Sequence, residues 1–386
     1  MVGSNLLIMI HKSLSYITGS TKLFGNVAVL AVGDLYQLQP VRQKHVFLPP
    51  SDATAQFAAI WQNSFKYFEL STVMRQRDME FSGLLNRMRV EELREEDIFV
   101  LRSRDIIKHP DYPRDAMHVY TTNADVDDHN EEKLEQLETT KHTLPALDNC
   151  RDKHTGKLHV LPSTKHTETG GLRQNLRIAK GAKVMLTSNI DVSDGLVNGA
   201  VSVVVGFILS DEHVHKVMVK FSDERAGHRT QQHSPYSTDY PSAVPISRVE
   251  ALFCVGKRKS VKMSRKQFPL TLAWACKIHK VQGMTMPSTV VSMTGRFMPG
   301  HAYVACSRVT SFYGLYIVHF NPKKIKANDQ VREETSRLQN CTLEIPPCDP
   351  ISYQSPEILS VASLNIRSYA KYQNELMLPN ISVDVM

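Results

Sequence analysis

Length, composition and charge limit what this chain can be before any motif is considered. It has 386 residues and a formal net charge of +7, which suggests two or three domains with apolar cores. The positive charge favours a polyanionic partner, although many basic proteins bind none. No apolar run approaches the ~20 residues that span a bilayer, so a membrane protein is not predicted. No basic and apolar leader opens the chain, so secretion is not predicted either.

The cysteines are scattered and lack the paired spacing of a metal site. This pattern fits a reducing compartment and thiols that pack against other side chains or have no chemical role. We therefore predict no metal-binding cluster. The six are Cys150, Cys254, Cys276, Cys306, Cys341 and Cys348.

The start of the chain predicts a helix and then a buried strand. Apolar residues recur at helical spacing over residues 6–17, and Gly19 ends that helix. The unbroken apolar run at 27–32 predicts a strand buried on both faces, whose carboxyl end carries Asp34 and Gln37. In open parallel sheets ligands bind at that edge, so these two side chains are candidate binding residues.

Further along, short strands accompany one well-marked helix. Residues 65–70 predict the first strand of a second domain, and residues 117–120 predict another strand. Thr122 and Asp125 form a capping pair for the helix that follows. Residues 139–170 are rich in Thr, His, Lys and Gly and predict a loop or hairpin.

Residues 172–266 change in character, because short strand patterns alternate there with Gly, Asp and Asn turns. The spacing predicts a small antiparallel barrel. The strand patterns lie at 176–178, 183–187, 201–209, 214–221 and 249–255. The basic run at 257–266 ends this region. A solvated hairpin is its commoner explanation, and phosphate contacts or a nuclear import signal are the alternatives.

Residues 274–285 crowd charge, imidazole, amide and glycine into one short turn. Helix formers predict a helix over 275–282, and Gly283 sits where a left-handed residue would end it. A strand is predicted over 289–293. Polar side chains and bare amides at this junction can meet an anion, but a capped surface helix explains the pattern equally well.

The last predicted elements surround an arginine. Residues 300–309 predict a short helix that closes on Arg308, and residues 315–320 predict the next strand. A polar helix is predicted around 329–338.

Four of these segments carry motifs in a fixed order. Residues 33–41 contain Gly-Asp, two variable residues and Gln-Leu-x-Pro-Val; residues 279–285 match His-Lys-x-Gln-Gly-Met-Thr; and residues 303–309 match Tyr-Val-Ala-x-Ser-Arg-Val. These segments resemble the third, fifth and sixth motifs of superfamily-one DNA helicases of the Pif and RecD type. Their sequences are similar to those of the eukaryotic Pif branch. Residues 74–87 are similar to the fourth motif of that family.

The resemblance implies an α/β fold with RecA-like parallel-sheet motor domains, the first one incomplete, and an inserted small antiparallel β-barrel. The predicted domains are 1–66 (carboxyl-terminal half of the first motor domain), 67–170 and 267–320 (the two parts of the second), 171–266 (the barrel) and 321–386 (a tail).

The resemblance also implies ATP-dependent movement 5′ to 3′ on single-stranded DNA, with ATP and Mg²⁺ as cofactors. Single-stranded DNA and DNA forks are the implied partners, with no membrane, and the protein is expected to be a monomer. Its expected place is the nucleus, with the mitochondrion as an alternative. The expected roles are DNA repair, recombination and telomere maintenance.

The family's functional positions map onto particular side chains. By the resemblance, Arg75 and Arg308 reach the γ-phosphate, and Gln37 senses it or orients the attacking water. Asp34 would lie near the metal, and Gly283 would let the backbone approach the phosphates. The candidate nucleotide-binding residues are Gly33, Asp34, Gln37, Arg75, Gln282, Gly283 and Arg308, and the candidate DNA contacts are His279, Lys280, Thr285 and Asn123.

Each of these residues also has a plainer interpretation when taken alone. A Gly-Asp pair such as the one at 33–34 is usually a turn, Arg75 could be a solvated side chain, and Arg308 could be a cation at a helix end. The joint occurrence of the motifs favours the functional interpretation.

Two helicase features are absent from these 386 residues. No Gly-x-x-x-x-Gly-Lys-Ser/Thr loop is present to cradle nucleotide phosphates. No Asp-Glu pair that could hold magnesium precedes the third motif. In the resembled family that pair is commonly followed by residues like Ser-Met-Val-Gly, and this chain begins Met-Val-Gly. We therefore expect a helicase truncated after its metal-binding acids, with ATP and Mg²⁺ bound mainly by the missing part and with doubtful activity alone.

The tail adds a second, shorter resemblance. Residues 345–347 predict a linker, and residues 359–378 resemble the opening strand and helix of the exonuclease-endonuclease-phosphatase fold of transposon proteins, with Asn365 as its metal-site asparagine. Such a pairing suggests a rolling-circle (Helitron) transposon. Three hypotheses remain open: a helicase that is active when intact, a non-catalytic single-stranded-DNA-binding module, and a transposon relic.

Overall fold

The computed structural model describes residues 2–49, 55–70, 72–106, 112–151, 169, 171–211, 213–255 and 261–339. Within them the chain divides into two units. The first contains residues 2–94, 297–304 and 322–339, and the second contains residues 95–296 and 305–321. The predictions for residues 340–386, Asn365 included, lie outside the described residues.

The first unit is built from helices. Gly19 ends α1 with a left-handed backbone (φ 65), which confirms the predicted stop. Asp78 caps α3 because its carboxylate accepts hydrogen bonds from the amides of Glu80 and Phe81. The polar helix predicted around 329–338 is also confirmed. The elements are α1 (Ser4–Thr18), α2 (Ala55–Ser64), α3 (Met79–Arg89) and α9 (Asp329–Gln339).

Two small apolar clusters hold this unit together. The first contains Leu7, Phe24 and Ile60, and the second contains Tyr36, Phe47 and Val331. A polar contact joins α9 to α2: the indole Nε1 of Trp61 donates to Oε1 of Glu334 at 2.6 Å. The helix that follows the sixth motif in sequence therefore packs on the segment that carries the third.

Two strands predicted in this unit do not form. The run at 27–32 lies in no sheet, and Leu30 and Val32 are 81% and 84% exposed. Residues 65–70 make no strand either, and Leu70 is 81% exposed. A strand needs a neighbour to pair its amides and carbonyls. The described residues of this unit contain no strand that could pair with either segment, so the apolar sequence alone led to a wrong prediction.

The second unit contains a four-stranded parallel sheet in the order β12-β1-β13-β14. Its register pairs His118 with Ala275, Met117 with Thr289, and Thr289 with Leu315. The strands are β1 (Met117–Tyr120), β12 (Ala275–Lys277), β13 (Thr289–Ser292) and β14 (Leu315–Val318). The strands predicted at 117–120, 289–293 and 315–320 are confirmed.

Two helices, α5 (Asn123–Glu135) and α7 (Ile278–Val281), pack against β1 and β12 of this sheet. Thr122 caps α5 by accepting from the Asp125 amide, and its hydroxyl donates to the Asp125 carboxylate at 2.5 Å, which confirms the capping pair. The helix predicted over 275–282 is wrong in its first half, because residues 275–277 pair with β1 as a strand. The helices are α4 (Glu95–Arg102), α5 (Asn123–Glu135), α6 (His228–Gln232), α7 (Ile278–Val281) and α8 (His301–Cys306), the last of which crosses from the first unit into the second.

Three antiparallel sheets are inserted between β1 and β12. Their orders are β11-β5-β6-β7-β8, β3-β10-β9 and β2-β4. The predicted antiparallel strands are confirmed, but they form three sheets and extend beyond 171–266 on both sides. The strands are β2 (Lys141–Pro145), β3 (Leu147–Arg151), β4 (Asn175–Ala179), β5 (Lys183–Leu186), β6 (Val201–Ser210), β7 (His213–Phe221), β8 (Val244–Ile246), β9 (Val249–Val255), β10 (Val261–Gln267) and β11 (Leu270–Leu272).

Part of the basic run at 257–266 belongs to a strand. Residues 257–260 lie outside the described residues, and the remainder belongs to β10. Arg265 is 2% exposed, and its Nε and Nη2 each donate to Asp148 at 2.6 Å. Neither a solvated hairpin nor a phosphate contact describes this arginine, because its charge is already paired in the interior. No helix in the part of the chain that the structure describes is long and apolar enough to cross a membrane.

Candidate nucleotide and DNA residues

The Gly-Asp pair at 33–34 opens a turn that Asp34 organises. The Gln37 amide donates to the Asp34 carbonyl at 3.2 Å. Oδ1 of Asp34 accepts from the Tyr36 amide at 3.1 Å, and Oδ2 accepts from Nε2 of Gln37 at 3.4 Å. Asp and Asn favour such turns because their short side chains reach the next backbone amides. Here the same carboxylate also holds the side chain of the predicted γ-phosphate sensor.

Sequence reasoning missed the partner of that carboxylate, Arg89. Its Nε and Nη2 donate to Oδ1 of Asp34 at 3.2 and 2.9 Å, and its guanidinium lies 4.7 Å from the centroid of the Tyr36 ring. Burial alone would lower the pKa of Arg89, but the Asp34 charge and hydrogen bond outweigh it and the pKa is raised. Both Asp34 oxygens thus accept hydrogen bonds, Oδ1 from the Tyr36 amide and Arg89 and Oδ2 from Gln37.

Gly300, which lies three residues before the sixth motif, lies against the same turn. Gly300 has a left-handed backbone (φ +80), and a Cβ placed on it would lie 2.7 Å from the carbonyl oxygens of both Tyr36 and Gln37. No other residue fits without moving that backbone. The Gly300 amide donates to the Lys326 carbonyl at 3.0 Å, which ties it to the segment leading into α9.

The structure places Arg75 in the same unit, on the segment that leads into α3. The residue is partly buried and lies three positions before the cap Asp78. Its neighbour Gln76 is 5% exposed.

In the second unit, Met286, the residue directly after the fifth motif, pairs with the sixth motif. The Met286 amide donates to the Arg308 carbonyl at 2.9 Å, and the Thr310 amide donates to the Met286 carbonyl at 3.3 Å. Gly283 is left-handed as predicted (φ +86), and no atom lies within 4 Å of a Cβ placed there. Gln282 is partly buried beside it. This loop is therefore open enough for a ligand to approach its backbone.

Arg308 itself is buried. Only 2% of the residue is exposed, and its Nη2 donates to the Ser307 hydroxyl at 2.8 Å. A buried guanidinium keeps its charge, so its N–H groups need hydrogen-bond or ionic partners.

Three of the four candidate DNA contacts share one edge of the parallel sheet. Asn123 follows β1, and His279 and Lys280 follow its neighbour β12, so parallel pairing brings them to the carboxyl edge. Asn123 and His279 are exposed and Lys280 is half-buried. Partial burial, with a smaller effect of Lys277, lowers the pKa of His279, so its imidazole is neutral at pH 7. Thr285 is exposed but adjoins Met286, toward the amino end of β13.

The sequence did not predict a buried aromatic cluster in which His118 and Tyr120 of β1 meet His129 of α5. His118 is 1% exposed, and its ring centroid lies 4.1 Å from that of His129. Its Nδ1 lies 3.0 Å from the Ala116 carbonyl, and its Nε2 lies 2.6 Å from the Tyr112 hydroxyl. Burial and then His129 lower the pKa of His118 to about 3. Burial also raises the pKa of Tyr120, which bonds His129, to about 12.

Comparison with known proteins places these features in one family. Residues 169–207 match the family model described as "DNA helicase Pif1, 2B domain". The chain is 30% identical to an ATP-dependent DNA helicase PIF1 of Emericella nidulans, over 86% of this chain and 47% of that protein. For the Danio rerio protein of the same name the identity is 32%, over 83% of this chain and 45% of that one. The chain thus spans about half the length of the curated relatives it matches.

Solved structures agree with the sequence matches. The crystal structure of Pif1 helicase from Candida albicans superposes with a TM-score of 0.67 at 25% identity, covering 88% of this chain and 74% of that one. Bacteroides Pif1 bound to single-stranded DNA superposes with a TM-score of 0.60 at 23% identity, covering 88% and 74%, which shows the fold alone. The fold is α/β, with a RecA-like parallel sheet and inserted antiparallel sheets. By sequence and by fold, the chain belongs to the Pif1 family of helicases.

Proposed function

We propose that this chain is the part of an ATP-dependent DNA helicase that carries the third to sixth motifs. In the intact protein, ATP hydrolysis would drive 5′-to-3′ translocation on single-stranded DNA and duplex unwinding. The curated relatives are named ATP-dependent DNA helicases. One Bacteroides Pif1 structure contains single-stranded DNA and another contains ADP-AlF4. These names support the assignment of substrate and nucleotide to this chain.

One observation carries the proposal: within each unit, a segment that adjoins one matched motif contacts another matched motif. In the first unit Gly300 lies against the backbone of the Gln37 turn. In the second unit Met286 of the loop after the fifth motif pairs with Arg308 of the sixth. A chance resemblance would not bring the matched segments together in this way.

The proposed chemistry needs cations and an oriented water more than covalent catalysis, because phosphoryl transfer develops charge on the γ-phosphate oxygens. Arg75 and Arg308 would supply positive charge to those oxygens. Gln37 would orient the attacking water or sense the γ-phosphate. Gln282 and the open Gly283 would let backbone amides approach the nucleotide. ATP with Mg²⁺ supplies the transferable phosphoryl group and would be held mainly by residues upstream of this chain.

Single-stranded DNA would be held at the carboxyl edge of the parallel sheet. Lys280 would neutralise a phosphate, whereas Asn123 and the neutral His279 would donate hydrogen bonds or stack on a base. Thr285, near the amino end of β13, would contact DNA only if the strand also passes that side. Binding through the backbone predicts little dependence on DNA sequence.

A DNA titration tests this proposal on the chain itself. Affinity for a labelled oligonucleotide should fall steeply as salt rises, and Lys280→Ala should weaken it and lower the salt slope by roughly 0.7. Lys22→Ala, which removes an equal charge from an exposed position in the first unit, is the matched control and should change neither. A flat salt response, or equal losses in both variants, would contradict the proposal.

A second candidate function is a non-catalytic module that binds single-stranded DNA. It is favoured by one fact, the absence of a Gly-x-x-x-x-Gly-Lys-Ser/Thr loop from these 386 residues. A chain without that loop lacks the amides and lysine that cradle phosphates. The transposon relic stays as the third hypothesis and predicts neither DNA binding nor ATP hydrolysis. The expected nuclear or mitochondrial location follows from DNA as the substrate.

A further inference from the structure

One carboxylate accepts four hydrogen bonds from three groups at the turn of the third motif. Asp34 accepts from the Tyr36 amide, from the carboxamide of Gln37, and twice from Arg89. The side chains of Arg89 and Asp34 are 27% and 16% exposed. A half-buried pair with two N–H donors on one oxygen fixes both direction and position, whereas an exposed pair contributes little.

Arg89 is itself held rigidly, because it is the last residue of α3. That helix is anchored by the buried side chains of Phe81, Leu84, Leu85 and Met88. Just beyond it, the Val90 carbonyl accepts from Nη2 of Arg332 at 2.5 Å, and the Glu91 carboxylate accepts from the Ala327 amide at 2.8 Å. The C-terminal end of α3, which carries Arg89, is therefore held by contacts beside the one to Asp34.

We propose that Arg89 and Asp34 are positioning residues that fix the carboxamide of Gln37. This inference rests on the proposed function, in which Gln37 meets the γ-phosphate or the attacking water. Asp34 acts on Gln37, and Arg89 acts on Asp34.

The physical reason is preorganisation. A free glutamine side chain samples many rotamers, and a group misplaced by ~1 Å can cost on the order of 10²-fold in rate. The bond from Gln37 to Asp34 removes part of that freedom, and the Arg89 pair keeps the carboxylate from swinging toward solvent. Loss of Arg89 would leave the backbone hydrogen bond from the Gln37 amide to the Asp34 carbonyl but release the carboxylate that accepts from the Tyr36 amide and directs Gln37.

The test uses the 386-residue chain labelled with ¹⁵N at glutamine side chains, so it does not depend on ATP hydrolysis. The Gln37 signals are assigned by their loss in Gln37→Ala. In Arg89→Met they should shift, and exchange of the Tyr36 amide, which donates to the Asp34 carboxylate, should rise about 10-fold. Arg89→Lys keeps the charge without the fork and should restore part of the shift. It also serves as the measurement if Arg89→Met fails to fold.

The matched control is Arg337→Met. Arg337 pairs with Glu334 in the same unit through Nε and Nη2 at 2.9 and 2.7 Å, with side-chain exposures of 32% and 6%. It should lower stability to a similar extent yet leave the Gln37 signals in place. Equal movement in both variants, or none in Arg89→Met, would overturn the inference. If the Gln37 signals respond as expected but the chain binds no DNA, the positioning contact stands and the proposed function fails.

Discussion

Acid should destabilise the second unit through His118, and the structure gives the size of the effect. The folded state keeps this imidazole neutral: burial and His129 lower its pKa from 6.5 to about 3. Nδ1–H donates to the Ala116 carbonyl, so Nε2 accepts from Tyr112 and has no room for a second proton.

The sign follows from the two pKa values. Above 6.5, the pKa of His118 in the unfolded chain, the imidazole is neutral in the folded and the unfolded state, so its titration does not lower the free energy of unfolding. Below it the unfolded state binds a proton that the folded state refuses, so stability falls until the pH reaches about 3. From about pH 7.5 to about pH 5 the loss is roughly 2 kcal/mol, because each pH unit below the unfolded pKa contributes about 1.4 kcal/mol. Burial also lowers the pKa of His129, so it acts in the same direction.

Tryptophan fluorescence can isolate this unit. The chain has two tryptophans, and Trp61→Phe leaves Trp274, whose carbonyl accepts from the His118 amide at 2.8 Å. Urea unfolding at the two pH values should show that His118→Gln removes about 2 kcal/mol of the acid loss. His215→Gln, at an exposed position on β7, should leave the loss unchanged. An identical acid loss in His118→Gln and in the parent chain would refute the reasoning.

Three further predictions follow from the geometry. Gly300→Ala should lower the melting temperature more than Gly283→Ala. Both glycines have a left-handed backbone, which costs a residue with a Cβ about 1–2 kcal/mol, but only a Cβ at position 300 would lie 2.7 Å from backbone oxygens. Equal effects in thermal unfolding would contradict this. Arg265→Met should cost about 3–5 kcal/mol in urea unfolding because it strands Asp148, whereas Lys266→Met should cost at most ~1 kcal/mol because its pair with Glu250 is exposed and 3.9 Å long. The isolated chain should release phosphate from ATP at background rate even with DNA, and DNA-stimulated release would show that the missing loop is dispensable.

Local signals in the sequence predicted local structure well. Gly19, Gly283 and the Thr122–Asp125 pair each act within a few residues, and all three behave as predicted. Signals that depend on partners failed. The run at 27–32 is apolar but pairs with no strand among the residues that the structure describes, and residues 275–277 favour a helix but pair with β1. Tertiary pairing outweighs propensity in such short segments.

The candidate site shows the same limit. The motif residues could be named from the sequence, but the groups that hold them could not. Arg89 lies 55 positions from Asp34, and Arg265 lies 117 positions from Asp148. Nothing in the local sequence links such partners, because an arginine in a charged segment is usually solvated. Only the fold shows that one arginine orients a turn and the other fills a core.

The most direct test of the motor assignment measures Arg308→Ala in a form of the protein that hydrolyses ATP. Loss of a cation that matters most as the transferred phosphoryl group develops charge should lower turnover on the order of 10³-fold. DNA affinity should stay nearly unchanged, whereas Lys280→Ala should weaken DNA binding with a smaller effect on basal turnover. Arg265→Met, equally buried at 2% exposure, controls for lost stability. If Arg308→Ala and Lys280→Ala lowered DNA affinity equally and neither changed turnover, Arg308 would not serve the nucleotide and the motor assignment would be wrong.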